Sequence, residues 1–181
     1  IARIESGTHD EAWTDIDLGA LLHDAWELYH AVGEEKEITV HLGAAAGRMR
    51  GDRDLIFQAV SNLLDNAIKY SPSGSDVRLE MRDEDGHLTI IVSDQGPGVP
   101  EAERGKVLDR FYRTATVTGI PGSGLGLSLV NAIARHHGGQ LVLADNAPGL
   151  RVMLELPKTD SAGPASVPEA GLIRAARPAH H

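Results

Sequence analysis

Residues 52–70, DRDLIFQAVSNLLDNAIKY, carry apolar side chains at helical spacing on one side and polar ones on the other. Ala59, Val60, Leu63, Leu64, Ala67 and Ile68 form the apolar side, so the segment predicts an amphipathic helix seated on a core. Ser71-Pro72-Ser73-Gly74 ends it. Gln58, Asn62, Asn66 and Lys69 share the other face, within an arc of about 80° at about 100° per residue. A solvated stripe would account for that face. Asparagine is a poor helix former, however, and neither Asn62 nor Asn66 has a capping position to fill. Amide oxygens that ligate a hard cation such as Mg2+ beside a phosphate-binding lysine are the alternative.

Working outward, residues 17–32 read as a helix capped by Asp17, with Leu18, Leu21, Leu22, Ala25, Leu28 and Tyr29 at helical spacing. Residues 38–42 alternate like a strand, and residues 48–51 suggest a short one. Residues 77–82 and 88–94 predict a hairpin whose second strand is almost continuously apolar and therefore central. Residues 100–105 suggest a short acidic helix, and residues 109–122, which lack a period, suggest a mobile loop. A helix over 124–137 stops at Gly138-Gly139, and strands follow at 141–144 and 151–156.

Two glycine-rich turns flank this frame. Asp94-Gln95-Gly96-Pro97-Gly98 ends the central strand. Asp and Gly are ordinary turn residues, but a carboxylate there can also accept from the exocyclic amine of adenine while repelling the carbonyl of guanine. Gly122-Ser123-Gly124-Leu125-Gly126-Leu127 opens the next helix, leaving bare backbone N–H groups where a phosphate chain can approach. No Gly-Lys-Ser/Thr follows, and Leu127 stands where a dinucleotide fingerprint needs glycine.

The 181 residues are 41% hydrophobic, enough for one domain with a real core. A net charge of −9 with scattered Lys and Arg argues against a nucleic-acid surface. The absence of cysteine excludes disulfides and thiolate metal sites. No apolar run is long enough to span a bilayer. A start at Ile1 rather than Met suggests a piece of a longer protein.

The order Asn62-Leu63-Leu64-Asp65-Asn66-Ala67-Ile68-Lys69-Tyr70, then Asp94-x-Gly96-x-Gly98, then Phe111, then Gly122-x-Gly124-Leu125-Gly126-Leu127 resembles the N, G1, F and G2 boxes of bacterial sensor histidine kinases. The likeness is to their catalytic ATP-binding domain, of the GHKL superfamily. It implies an α+β fold: a two-layer α/β sandwich of about three helices on one face of a mixed, mostly antiparallel sheet of about five strands, the Bergerat ATP-binding fold. It also implies three regions. Residues 1–14 would be the remnant of a preceding dimerisation and phosphoacceptor helix with its linker, 15–158 the ATP-binding domain, and 159–181 a disordered or appended tail.

By the same resemblance, Asn62 meets phosphate or metal, Asn66 is the Mg2+ ligand, and Lys69 and Tyr70 contact the phosphate or ribose side. Asp94 holds the adenine amine, and Gly96, Gly98 and Val99 line the base pocket. Phe111 anchors a lid over residues 112–121, while Gly122, Gly124, Leu125, Gly126 and Leu127 follow the triphosphate. Leu108 replaces the first aromatic of the usual F box, and Arg113, with Arg110 as the alternative, is the γ-phosphate contact. Clamp-type relatives usually carry a glutamate base where Asn62 stands; an amide cannot take that proton, which favours phosphoryl transfer over hydrolysis. None of the nine histidines sits in the phosphoacceptor setting His-Glu/Asp-x-x-x-Pro. His136 and His137 are expected to complement a helix dipole.

The expected reading is therefore a domain that transfers the γ-phosphoryl of Mg·ATP to a histidine on an adjoining domain, which serves a response regulator. The parent is expected to be a membrane-anchored homodimer with this domain in the cytoplasm and no nucleic-acid partner, and the chain alone a monomer. A nucleotide-binding regulatory module and a clamp ATPase are the alternatives.

Overall fold

The computed structural model describes residues 12–43, 46–108 and 126–158. The chain opens with β1 (Trp13–Asp17), which runs antiparallel to β3 (Arg48–Asp52) in a two-stranded sheet. Between them lie α1 (Leu18–Glu35) and β2 (Thr39–Leu42). Asp17 caps α1 as expected, its carboxylate accepting from the Ala20 N–H at 3.1 Å. The remaining elements are α2 (Arg53–Tyr70), β4 (Asp76–Glu84), β5 (His87–Ser93), α3 (Gly126–His136), β6 (Gln140–Asp145) and β7 (Leu150–Pro157).

The main sheet has five strands in the order β2-β4-β5-β7-β6. Only β2 and β4 are parallel; every other neighbouring pair is antiparallel. The continuously apolar β5 is central, as its sequence requires. Its Leu88, Ile90 and Val92 are all 2% exposed or less and join Val77 and Leu79 of β4 and Leu154 and Leu156 of β7 in one core with the helices. Alternation along each strand delivers these side chains to a single face, against which the buried stripes of α1, α2 and α3 pack. The result is the two-layer α+β sandwich expected.

Two elements differ from the sequence reading. β1 begins at Trp13 and was not foreseen as a strand, because only Trp13 and Ile16 in its five residues are apolar and its partner lies far along the chain. The acidic segment after Pro100 is not an α-helix but a single 3-10 turn over Glu101–Glu103, with a second at Lys106–Leu108. Residues 1–11, the lid segment and the tail after Lys158 lie outside the described residues.

Candidate functional site

The site is built on α2. Asp52 caps its start, accepting from the N–H groups of Asp54 and Leu55 at 3.1 and 3.2 Å. At its other end Lys36, beyond α1, donates its Nζ to the Ile68 carbonyl at 2.8 Å and more distantly to Lys69 at 3.3 Å. Those carbonyls have no partner within the helix, so the lysine ties down the turn that carries Lys69 and Tyr70. Leu55, Ile56, Ala59, Val60, Leu63, Leu64, Ala67 and Ile68 are buried.

The opposite stripe is not an ordinary solvated face. Asn62, Asn66, Lys69 and Tyr70 are all half-buried, and only Gln58 is exposed. Among the described residues neither amide has a side-chain hydrogen-bond partner. Half-buried and without a described partner, the two amides keep their hydrogen-bonding capacity for water or a ligand. Lys69 is held loosely, its Nζ 3.7 Å from Asp65 one turn earlier.

Gly126, the first residue of α3, closes on this stripe. A Cβ there would lie 2.8 Å from Nδ2 and 3.3 Å from Oδ1 of Asn66, so only glycine lets the start of α3 reach the amide. Leu127 follows, half-buried against the core. The N and G2 stretches, some sixty positions apart in sequence, are thereby brought into direct contact.

The third piece is Asp94, immediately after β5 and 8% exposed. One carboxylate oxygen accepts from the N–H groups of Gly96 at 3.0 Å and Leu150 at 3.1 Å. No described residue donates to the other oxygen. Burial pushes the carboxyl above its usual range, and the two N–H bonds pull the other way. Gly96 is forced, because a Cβ would meet the Tyr70 carbonyl at 2.6 Å; the turn thus abuts the end of α2. Gly98 has φ of 70° and faces the Gly149 carbonyl, while the Val99 carbonyl accepts from Arg104 at 3.2 Å.

The connection between β6 and β7 was not anticipated as part of the site. Asn146 donates its amide to the Asp94 carbonyl at 2.6 Å, and the Asp94 N–H donates to the Leu150 carbonyl at 3.0 Å. In sequence, Asn146-Ala147-Pro148-Gly149 signals only a turn.

His137 departs from its expected role. It is 3% exposed, stacked on Trp13 with ring centroids 5.2 Å apart. Its Nδ1 donates to the Ile133 carbonyl at 2.8 Å and its Nε2 accepts from the Asp52 N–H at 3.0 Å. Donating at one nitrogen and accepting at the other, the ring is neutral, and burial lowers its pKa. It therefore caps a carbonyl without placing charge on the helix dipole, and it pins the end of α3 to the cap of α2.

Residues 51–160 match the family described as histidine kinase-, DNA gyrase B-, and HSP90-like ATPase. The chain belongs to that family. It is the catalytic ATP-binding domain of a sensor histidine kinase, by its likeness to the signal transduction histidine-protein kinase/phosphatase MprB of Mycobacterium leprae and to a solved mycobacterial MprB. The first is 41% identical over 137 residues, covering 75% of this chain and 26% of that protein. The second is 34% identical with a TM-score of 0.71, covering 80% of this chain and 96% of that one. Full-length ShkA in complex with AMPPNP is 25% identical with a TM-score of 0.77, covering 90% of this chain and 34% of that one. This kinase domain spans 26% of the length of the first curated relative it matches.

Of the residues expected to form the kinase site, the fold brings Asn66 against Gly126 and Tyr70 against Gly96, with Asn62 one helical turn before Asn66. Asp94 sits beside Gly96. Phe111, Arg113, Gly122, Gly124 and Leu125, with Arg110, lie outside the described residues.

Proposed function

We propose that this domain holds Mg·ATP between α2, the turn after β5 and the start of α3, and passes the γ-phosphoryl to a histidine on an adjoining dimerisation domain. The acceptor nitrogen forms the new N–P bond as the bond between the β–γ bridging oxygen and the γ-phosphorus breaks, and ADP leaves with the electron pair. The phosphohistidine then serves an aspartate of a response regulator.

The observation that carries this reading is the meeting of Asn66 with Gly126. It leaves an amide oxygen that no described residue pairs with beside a helix start stripped of side chain, and a cation-bridged phosphate chain needs both. Asn66 would hold Mg2+, with Asn62 and Lys69 on phosphate oxygens. Bound there, the ion supplies neutralisation of phosphate charge. The carboxylate oxygen of Asp94 to which no described residue donates accepts from the adenine amine, and Gly96, Gly98 and Val99 form the base pocket with Tyr70 beside it. The part of the G2 run outside the described residues, Gly122, Gly124 and Leu125, continues the phosphate cradle. Phe111 anchors the lid, and Arg113, with Arg110 as the alternative, reaches the γ-phosphate.

Asn62 supports transfer over hydrolysis, because an amide next to the phosphates cannot act as base toward water. The domain's role is positioning and charge neutralisation, the larger part of phosphoryl-transfer catalysis. The parent is a membrane-anchored homodimer with this domain on the cytoplasmic side. No described helix is itself long and apolar enough to cross a membrane.

The test mixes this chain with a separate dimerisation domain that carries the acceptor histidine and with γ-labelled ATP. Acid-labile label on the acceptor domain, lost with Asn66→Ala, is the expected outcome. Tight Mg·ATP binding with no label on histidine would make the domain a nucleotide-sensing module. Steady hydrolysis abolished by Asn62→Ala would make it a clamp-type ATPase.

A further inference from the structure

We infer that Asn146 is a positioning residue for adenine selectivity, holding Asp94 in the one orientation that can read the exocyclic amine. The inference rests on the assignment of Asp94 to adenine proposed above.

Asp94 is fixed at four points. Its carbonyl accepts from Asn146 Nδ2 at 2.6 Å, its N–H donates to the Leu150 carbonyl at 3.0 Å, and one carboxylate oxygen takes the Gly96 and Leu150 N–H groups at 3.0 and 3.1 Å. Three of the four come from Asn146, in the connection between β6 and β7, and from Leu150, the first residue of β7, neither of which any box of the sequence includes. The bond from Asn146 is the shortest of the four and the one whose donor is a side chain. It fixes the peptide on the C-terminal side of Asp94, the same peptide that leads to Gly96.

Asn146 is itself held. Its backbone N–H donates to the Gly149 carbonyl at 3.1 Å, closing a turn over residues 146–149, and Arg151 Nη2 approaches its Oδ1 at 3.4 Å. Gly149 packs directly on the Asp94 carbonyl, where a Cβ would overlap it. The amide of Asn146 thus reaches a carbonyl that the turn already presses upon. With one carboxylate oxygen saturated by backbone donors, rotation of the Asp94 peptide would move the remaining oxygen, and the amine contact depends on that oxygen alone.

The experiment measures affinity of the whole chain for Mg·ATP and for the triphosphate of purine riboside, which lacks the exocyclic amine. Asn146→Ala and the isosteric Asn146→Asp, which cannot donate, are compared with Asp94→Asn. Loss of one hydrogen bond predicts ATP affinity about three- to tenfold weaker in both Asn146 variants, with the purine riboside nucleotide unchanged within about twofold. Asn146→Asp keeps the shape of the turn and carries the test if the alanine variant does not fold. Equal loss for both nucleotides would reduce Asn146 to a turn former and overturn the inference, as would no loss for either. If Asp94→Asn collapses the preference for ATP and the Asn146 variants do not, the inference alone fails. If Asp94→Asn also leaves the preference intact, the adenine pocket is misassigned and both fall.

Discussion

Replacing Gly126 by alanine separates folding from nucleotide binding in this domain, because the atom in its way is the end of a side chain. The new Cβ would sit 2.8 Å from Asn66 Nδ2, against an optimum of about 3.5 Å or more, so the amide must retreat by roughly 0.7 Å. For folding this is cheap. Pushing Asn66 off its rotamer costs about 0.5–1.5 kcal/mol, and removing a helical glycine returns about 0.5–1 kcal/mol. Net stability stays within about 1 kcal/mol, a shift of about 2–4 °C in Tm for a domain of this size. For binding the same movement is severe, since a metal ligand tolerates displacements of only about 0.2 Å. Losing an amide contact to a charged group costs about 1.5–3 kcal/mol, or roughly ten- to a hundredfold in affinity. Calorimetry with Mg·ATP, and with ATP in excess chelator, measures both states. The expected result is a large loss with Mg2+ and a small one without it, at nearly constant Tm. Mg·ATP affinity within about twofold of wild type, in a protein that melts normally, would refute the placement of Asn66 at the phosphates.

Three further predictions concern titration and capping. Asp94→Asn should weaken ATP while leaving Tm unchanged or higher. Burial raises the Asp94 pKa above its unfolded value of about 3.9, so its ionisation costs stability as pH rises through that window; the variant should gain on wild type from pH 4 upward, and parallel melting curves would count against it. His137 has the opposite signature, because its folded pKa is lowered. Stability is fully present above the unfolded value of about 6.5 and falls as pH drops, by at most about 1.4 kcal/mol per unit. Denaturant titrations from pH 7.5 to 5 should show a shallower decline in His137→Gln, and equal slopes would remove His137 as the cause. Lys36→Met should cost about 1 kcal/mol by freeing the Ile68 carbonyl, read as a lower denaturation midpoint at unchanged slope.

What the sequence revealed and what it hid follow from the range of the interactions. The period of α2, the continuous apolar run of β5 and the Asp17 cap are local, and each appears where its pattern requires. The sheet order and the meeting of Asn66 with Gly126 are not local; the joint order of four motifs implied a mixed sheet and one shared site, and the fold supplies the order and the contact. β1 stayed hidden because five residues with two apolar positions show no period, and Trp13 gains its partner His137 only in the fold. The histidine was misread for a related reason. Its place at a helix end suggests a charge on the dipole, but its burial against Trp13 and the N–H of Asp52 removes that charge. Asn146 gave no signal beyond a turn, since a residue that acts on the backbone of another segment leaves no pattern in its own. The same reasoning separates the two kinds of residue in the site. Of those that would meet the nucleotide, Asn62 and Asn66 stand out by being the wrong type for a helix interior, and Asp94 by its place in the motif order. Those that position them, Asn146, Lys36 and His137, fit their local structure, and only the assembled fold reveals what they hold.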